Sequence, residues 1–164
     1  MPRLYELPAG ERLFVDANIF LEHLLNSEPT CAAFFQRIQH REIHAVTSVA
    51  VLSEARHRLL LTEAIRRGYV SKPDRALAVL QQRPGLLRHL TACDEALNLL
   101  LETPLRVVNV TLAQFRLAQR LSLRYGLLTT DALHLATLRA HRLRHLATND
   151  ADFATIPRLT LWTL

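Results

Sequence analysis

The chain has 164 residues, 49% hydrophobic and 21% charged, which is the length of one domain with enough apolar side chains to bury a core without crosslinks. Its Lys+Arg count of 20 against 15 Asp+Glu leaves a net charge of +5, and Lys72 is the only lysine, so arginine carries the positive charge. Two cysteines, Cys31 and Cys93, exclude a disulfide scaffold and a four-cysteine zinc site, four glycines argue against a glycine-rich phosphate loop, and no apolar run approaches the roughly 20 residues of a membrane span.

Arg12–Val15 (RLFV) is expected as a buried first strand ending at Asp16. Helices are expected over Asn18–Asn26, capped by Asp16 or Asn18, and over Thr30–Arg41. A short strand, His44–Thr47, leads to a long helix that Ser48 opens and Gly68 ends after Arg67; Val51, Leu52, Ala55 and Leu59 form its apolar stripe. Pro73 starts a helix over Asp74–Gln82, Pro84-Gly85 breaks it, and Leu86–Leu101 resumes as helix in one or two pieces. Leu105–Val110 is β-branched enough for a strand. Thr111 then caps a helix to Tyr125, stopped by Gly126, and Thr129–Arg142 forms another. His145–Thr148 and Arg158–Trp162 are the last strands. This alternation predicts an α/β fold, three layers with a mostly parallel central sheet and an extra helical insertion near 69–103, in a single domain over 1–164.

Ligands in such sheets bind beyond the carboxyl ends of the strands, and those positions are acidic here. Asp16 follows the first strand in FVDANIFL, and Asp150 follows a late strand in LATNDADF. Asp131 opens a helix in GLLTTDALHLAT, and Glu54 lies inside the long helix in TSVAVLSEARHRL. Each is flanked by apolar residues, and carboxylates gathered in such a setting need a bound cation or raised pKa values. Hard oxygen ligands without histidine or thiolate suit Mg²⁺ or Mn²⁺. Each acid also has a purely structural reading: Asp16 and Asp131 as helix caps, Asp150 and Asp152 as turn residues, and Glu54 as a partner of Arg58 one turn on. Four such coincidences in one fold are less economical than one shared site. His57 and His134 each follow an acid by three residues and lie near its helical face, so either could touch a substrate, and their default reading is a partly buried or solvent-facing imidazole. Cys31 and Cys93 read as small buried hydrophobes, and Trp162 as core.

No lysine follows Lys72, no D-x-D follows the first strand, and neither GKS/GKT nor G-x-G-x-x-G occurs. This removes receiver, haloacid-dehalogenase-like, P-loop and dinucleotide-binding readings. What remains resembles the PIN-domain nucleases and, within them, the VapC-type toxins of toxin–antitoxin pairs. FVDANIFL resembles the opening block, TSVAVLSEARHRL the second, TTDALHLAT the most specific stretch, and LATNDADF the closing T-x-D-x-D-F block. The similarity covers roughly Leu13 to Trp162, with a longer interval between Glu54 and Asp131 than in compact toxins.

The resemblance implies a metal-dependent endoribonuclease. Asp16, Glu54, Asp131 and Asp150 would be its catalytic metal ligands, holding Mg²⁺ or Mn²⁺, with Asp152 a further ligand and Asn18 and Thr148 orienting the carboxylates. Arg56 would grip a flanking phosphate. Expected partners are the RNA substrate, an antitoxin protein and a second copy of the chain, the last suggested by a mean hydropathy of +0.08. The opening MPRLYELPAGERLFVD shows no signal-peptide pattern, so a cytoplasmic location without membrane association is expected. Two alternatives stand beside this reading: a non-toxin nuclease of RNA maturation, and a catalytically silent module that binds RNA or protein.

Overall fold

A computed structural model describes residues 1–164, and its centre is a five-stranded, wholly parallel sheet in the order β3-β2-β1-β4-β5. The strands are β1 (Arg12–Val15), β2 (His44–Ser48), β3 (Arg106–Val108), β4 (His145–Ala147) and β5 (Thr160–Trp162). Leu13 of β1 pairs with Ala45 on one side and with His145 on the other. Seven α-helices connect the strands: α1 (Ala17–Asn26), α2 (Pro29–Gln39), α3 (Val49–Arg66), α4 (Ala76–Gln82), α5 (Ala92–Leu101), α6 (Leu112–Tyr125) and α7 (Thr129–Ala140). Leu13, Phe14, Val15, Ile19, Phe20, Ile38, Leu135 and Ala136 belong to the main core cluster that the sheet and its flanking helices enclose. This is the expected three-layer α/β/α arrangement. No helix is long and apolar enough to cross a membrane.

The expected ends shift at the sheet edges. The strand expected over Leu105–Val110 pairs only over Arg106–Val108, and the one expected from Arg158 pairs only from Thr160. Both are edge strands, with hydrogen-bonding partners on one side alone, and edges run short. Pro84-Gly85 breaks the helix as expected, α4 ending at Gln82, but it also opens a 3₁₀ stretch, Pro84–His89, so the helix expected over Leu86–Leu101 begins at Ala92. Two further 3₁₀ turns, Leu4–Glu6 and Ala151–Thr155, have no counterpart among the expected elements. The first is pinned to the last strand by the Leu4 amide, which donates to the Thr163 carbonyl at 2.8 Å.

The insertion builds a satellite core of its own, in which Val70, Ala76, Leu80 and Leu90 pack on Ala64 of α3. Its attachment is polar as well as apolar. Thr91, the residue before α5, gives no side-chain cap. The buried Glu63 carboxylate of α3 takes that role, accepting from the amides of Ala92 at 3.3 Å and Cys93 at 3.0 Å while Arg67 Nε donates to it at 2.7 Å.

The order of strands decides where a site can form. From β1 the chain runs outward through β2 to β3, then returns to the other side of β1 for β4 and β5. The carboxyl ends of β1 and β4 therefore flank the crevice where the winding reverses.

Candidate active site

Asp16 is the residue immediately after β1, buried at the start of α1. Its Oδ1 accepts from the Ala17 amide at 2.7 Å, so the capping alternative is also realised. Its Oδ2 accepts from the Thr148 hydroxyl at 2.7 Å and from Asn18 Nδ2 at 2.7 Å. Thr148 follows β4; its Oγ1 accepts in turn from Asn18 Nδ2 at 2.9 Å and from the Asp150 amide at 3.0 Å. Asn18 Oδ1 accepts from the Asn149 amide at 3.2 Å. One network thus joins the ends of β1 and β4. Burial works to raise the Asp16 carboxyl, but the His134 ring, the Thr148 hydroxyl and the Ala17 amide outweigh it and hold Asp16 below its ordinary value.

Asp150 opens the 3₁₀ turn and accepts from the Asp152 amide at 2.8 Å, as its turn-residue reading requires. That turn brings Asp152 round beside it. Carboxylate oxygens of Asp131, Asp150 and Asp152 lie within 4.8 Å of one another. Asp131 does not cap its helix: α7 starts at Thr129, and Leu128 before it gives no side-chain cap. Its carboxyl is raised from 3.8 to about 6 by burial first and then by the charge of Asp150, with Asp16 and Glu54 adding to it against His134. Asp131 is accordingly the group on which all these charges act.

Glu54 makes no pair with Arg58. It turns inward, with a buried Oε2 that has no hydrogen-bond partner, 3.8 Å from His134 Nε2. His134 is buried between two of the acids, its Nδ1 3.4 Å from Asp16 Oδ1, and neither ring nitrogen makes a hydrogen bond. Its position one helical turn after Asp131 is visible in the sequence, but its burial between Asp16 and Glu54 depends on how α7 packs on β1 and α3. His57 is exposed on α3. Arg56 does not offer a free guanidinium: Nε and Nη2 bind the two oxygens of Asp94 in α5 at 2.6 and 2.9 Å, which corrects the expectation of an open phosphate contact there. Cys31 and Cys93 are buried, and burial pushes their thiols up to about 12 and about 11, so neither is a nucleophile at neutral pH.

The donor set fits a divalent cation. Its members, Asp131, Asp150 and Asp152, offer carboxylate oxygens, the ligands hard cations take, while Asp16 and Glu54 stand outside this trio on either side of His134, and Glu54 Oε2 is buried without a hydrogen-bond partner. A cation would relieve the mutual repulsion around Asp131.

The sequence matches the family model described as PIN domain over residues 13–159. No curated protein matches the chain. Among solved structures it is similar to VapBC2 from Rickettsia felis, described as bound to a DNA fragment from its promoter, with 15% identity, a TM-score of 0.61 and coverage of 93% of this chain and 98% of that one. It is similar to VapC20 of Mycobacterium tuberculosis, described as a sarcin-ricin loop cleaving toxin, with 18% identity, a TM-score of 0.57 and coverage of 88% and 95%. A toxin–antitoxin complex from Klebsiella pneumoniae aligns at 19% identity with a TM-score of 0.52, covering 90% and 95%.

Proposed function

Because the chain belongs to the PIN domain family, we propose that it is a metal-dependent endoribonuclease, acting as a single domain over 1–164 and serving as the toxin of a toxin–antitoxin pair. The observation that supports this reading is the gathering of Asp131 on α7 with Asp150 and Asp152 after β4, their carboxylate oxygens within 4.8 Å of one another, beside Asp16 and Glu54 on either side of His134. The described activity of VapC20 and the paired composition of the neighbouring complexes support the substrate and the partner.

Asp131, Asp150 and Asp152, with Asp16 and Glu54, would hold Mg²⁺ or Mn²⁺. Such an ion neutralises charge on a phosphate and makes water more acidic. The chain's own residues prepare the site. Thr148 and Asn18 donate to one oxygen of Asp16 and fix its direction. His134 stands between Asp16 and Glu54, one ring nitrogen toward each carboxylate. Asp131 retains a proton more readily than an ordinary carboxyl and releases it when a cation balances its neighbours. A cytoplasmic location, a homodimer and an antitoxin bound to the chain complete the proposal. The exposed side chains Leu112, Phe115 and Leu123 on α6 support the dimer.

Purified protein with Mn²⁺ is expected to cut RNA, and Asp16→Asn or Asp131→Asn to remove the activity to background. Variants that cut as well as the parent would sink the site, and a parent that never cuts would sink the nuclease.

A further inference from the structure

At the opposite, amino end of the strands lies a second charged feature with no part in the acidic crevice. A cleft of about 710 Å³ opens between the ends of α6 and α7 and the turns that precede β4 and β5. Five arginines line it, Arg124, Arg139, Arg142, Arg144 and Arg158, around Tyr125, and no carboxylate does. The guanidinium groups of Arg124 and Arg139 stand 5.3 and 5.4 Å from the Tyr125 ring centre. The carboxylates that pair with arginine elsewhere serve Arg37, Arg56 and Arg67. Adjoining Glu11 is turned to His145, 3.4 Å away. Carboxylates that crowd together can take up protons, but guanidinium groups cannot lose theirs, so the positive potential of these five persists at every working pH and favours a bound anion.

The shape of the charge tells which anion. Arg116, Arg120 and Arg124 recur at every fourth residue along the exposed side of α6, so the basic lining continues out of the cleft for roughly 12 Å at the helical rise. A compact phosphate ligand would leave that stripe unused, whereas an extended polyanion would follow it. The cleft also lies within reach of the acidic crevice. Arg139 is eight residues after Asp131 on α7, about 12 Å along its axis, and Arg144 is four residues before Thr148 across β4, about 13 Å in extended chain.

We propose that this arginine cleft is a phosphodiester-backbone contact for the RNA strand beyond the point of cleavage. It rests on the nuclease reading above for the identity of the strand. It supplies what the acidic crevice lacks, because clustered carboxylates repel a polyanion that the enzyme must nonetheless hold.

The test is the binding of a single-stranded RNA oligonucleotide with EDTA present, followed by fluorescence anisotropy over a potassium chloride series. Arg142, Arg144 and Arg158 are exposed, so the triple variant R142Q/R144Q/R158Q leaves the core intact. Affinity should fall about tenfold or more, and the slope of log K against log salt should become shallower by about 2, because each phosphate neutralised on a single strand contributes about 0.7 to it. The triple lysine variant, which keeps the charge, should recover most of the slope. Unchanged affinity and slope in the glutamine variant overturn the proposal. So does a loss confined to acidic peptides with RNA binding intact. The two readings fail separately: a protein that never cuts RNA but shows the slope change refutes the nuclease and keeps the cleft, whereas one that cuts but shows no slope change does the reverse.

Discussion

With burial and the charge of Asp150 holding its carboxyl near 6, against an ordinary 3.8, Asp131 is ionised at neutral pH at the expense of the fold. The sign follows from proton linkage: a carboxyl whose folded value is raised costs stability above that value, and the cost fades as pH falls toward the unfolded one. Metal-free protein should therefore gain stability between about pH 7 and pH 5. Asp131→Asn should melt about 2–4 °C higher than the parent in EDTA at neutral pH, on the order of 1 kcal/mol after allowing for solvent screening, while losing cleavage. A lower melting temperature in the variant would mean that the carboxylate is stabilising and that the crowding around it is not felt. The acids were legible because each interrupts an apolar segment, Asp16 and Asp150 just past strands, Asp131 in the first turn of a helix and Glu54 inside one. His134 was legible as a position but not as a member of the group, since one turn of helix does not say which of its sides will be buried.

Glu63 shows how one side chain can hold an element. It sits on α3, yet the helix it caps is α5, and without it the Ala92 and Cys93 amides have no side-chain partner. Burial would raise its carboxyl, but the Cys93 amide, Arg67 and the Ala92 amide outweigh this and keep it below its ordinary 4.5. Its contribution is thus present above that range and is lost as pH falls through it. Glu63→Ala should cost about 2–3 kcal/mol, a fall in melting temperature of roughly 5–10 °C, and should open residues 69–91 to protease before the rest of the chain. Uniform loss of protection would show instead that the insertion and the sheet unfold together. Helices and central strands were readable from apolar spacing, from Ser48 and Thr111 at helix starts and from Gly126 at a helix end. The 3₁₀ turn at Ala151–Thr155 was not, because a five-residue segment carries too little periodicity. Nor was the capping of α5, because Glu63 and Cys93 are 30 residues apart in sequence.

Across the whole molecule two clusters of opposite charge stand at opposite ends of the sheet, Asp131, Asp150 and Asp152 at the carboxyl ends of the strands and the arginine cleft at the amino ends, so a net charge of +5 conceals two opposite surfaces. Composition reported the arginine excess, but the arginines that converge come from two helix ends and two turns, and only the fold brings them together. Between these poles, α6 carries an apolar face with nothing packed on it: Leu112, Phe115 and Leu123 are 63%, 44% and 90% exposed, and Leu128 in the following connection is 75% exposed. Positions 112, 115 and 123 fall within about 80° of one another around a helix, so they form one stripe rather than scattered exceptions. Such a stripe is costly in water, and a second copy related by a twofold axis would cover both stripes at once. Sedimentation of the parent at micromolar concentration should therefore give the dimer mass. Leu123→Glu, which sets like charges against each other across the axis, should give the monomer without lowering the melting temperature of the separated chain. A parent that sediments as a monomer at every concentration would leave the stripe free for the antitoxin instead, and adding that protein should then bury Leu123.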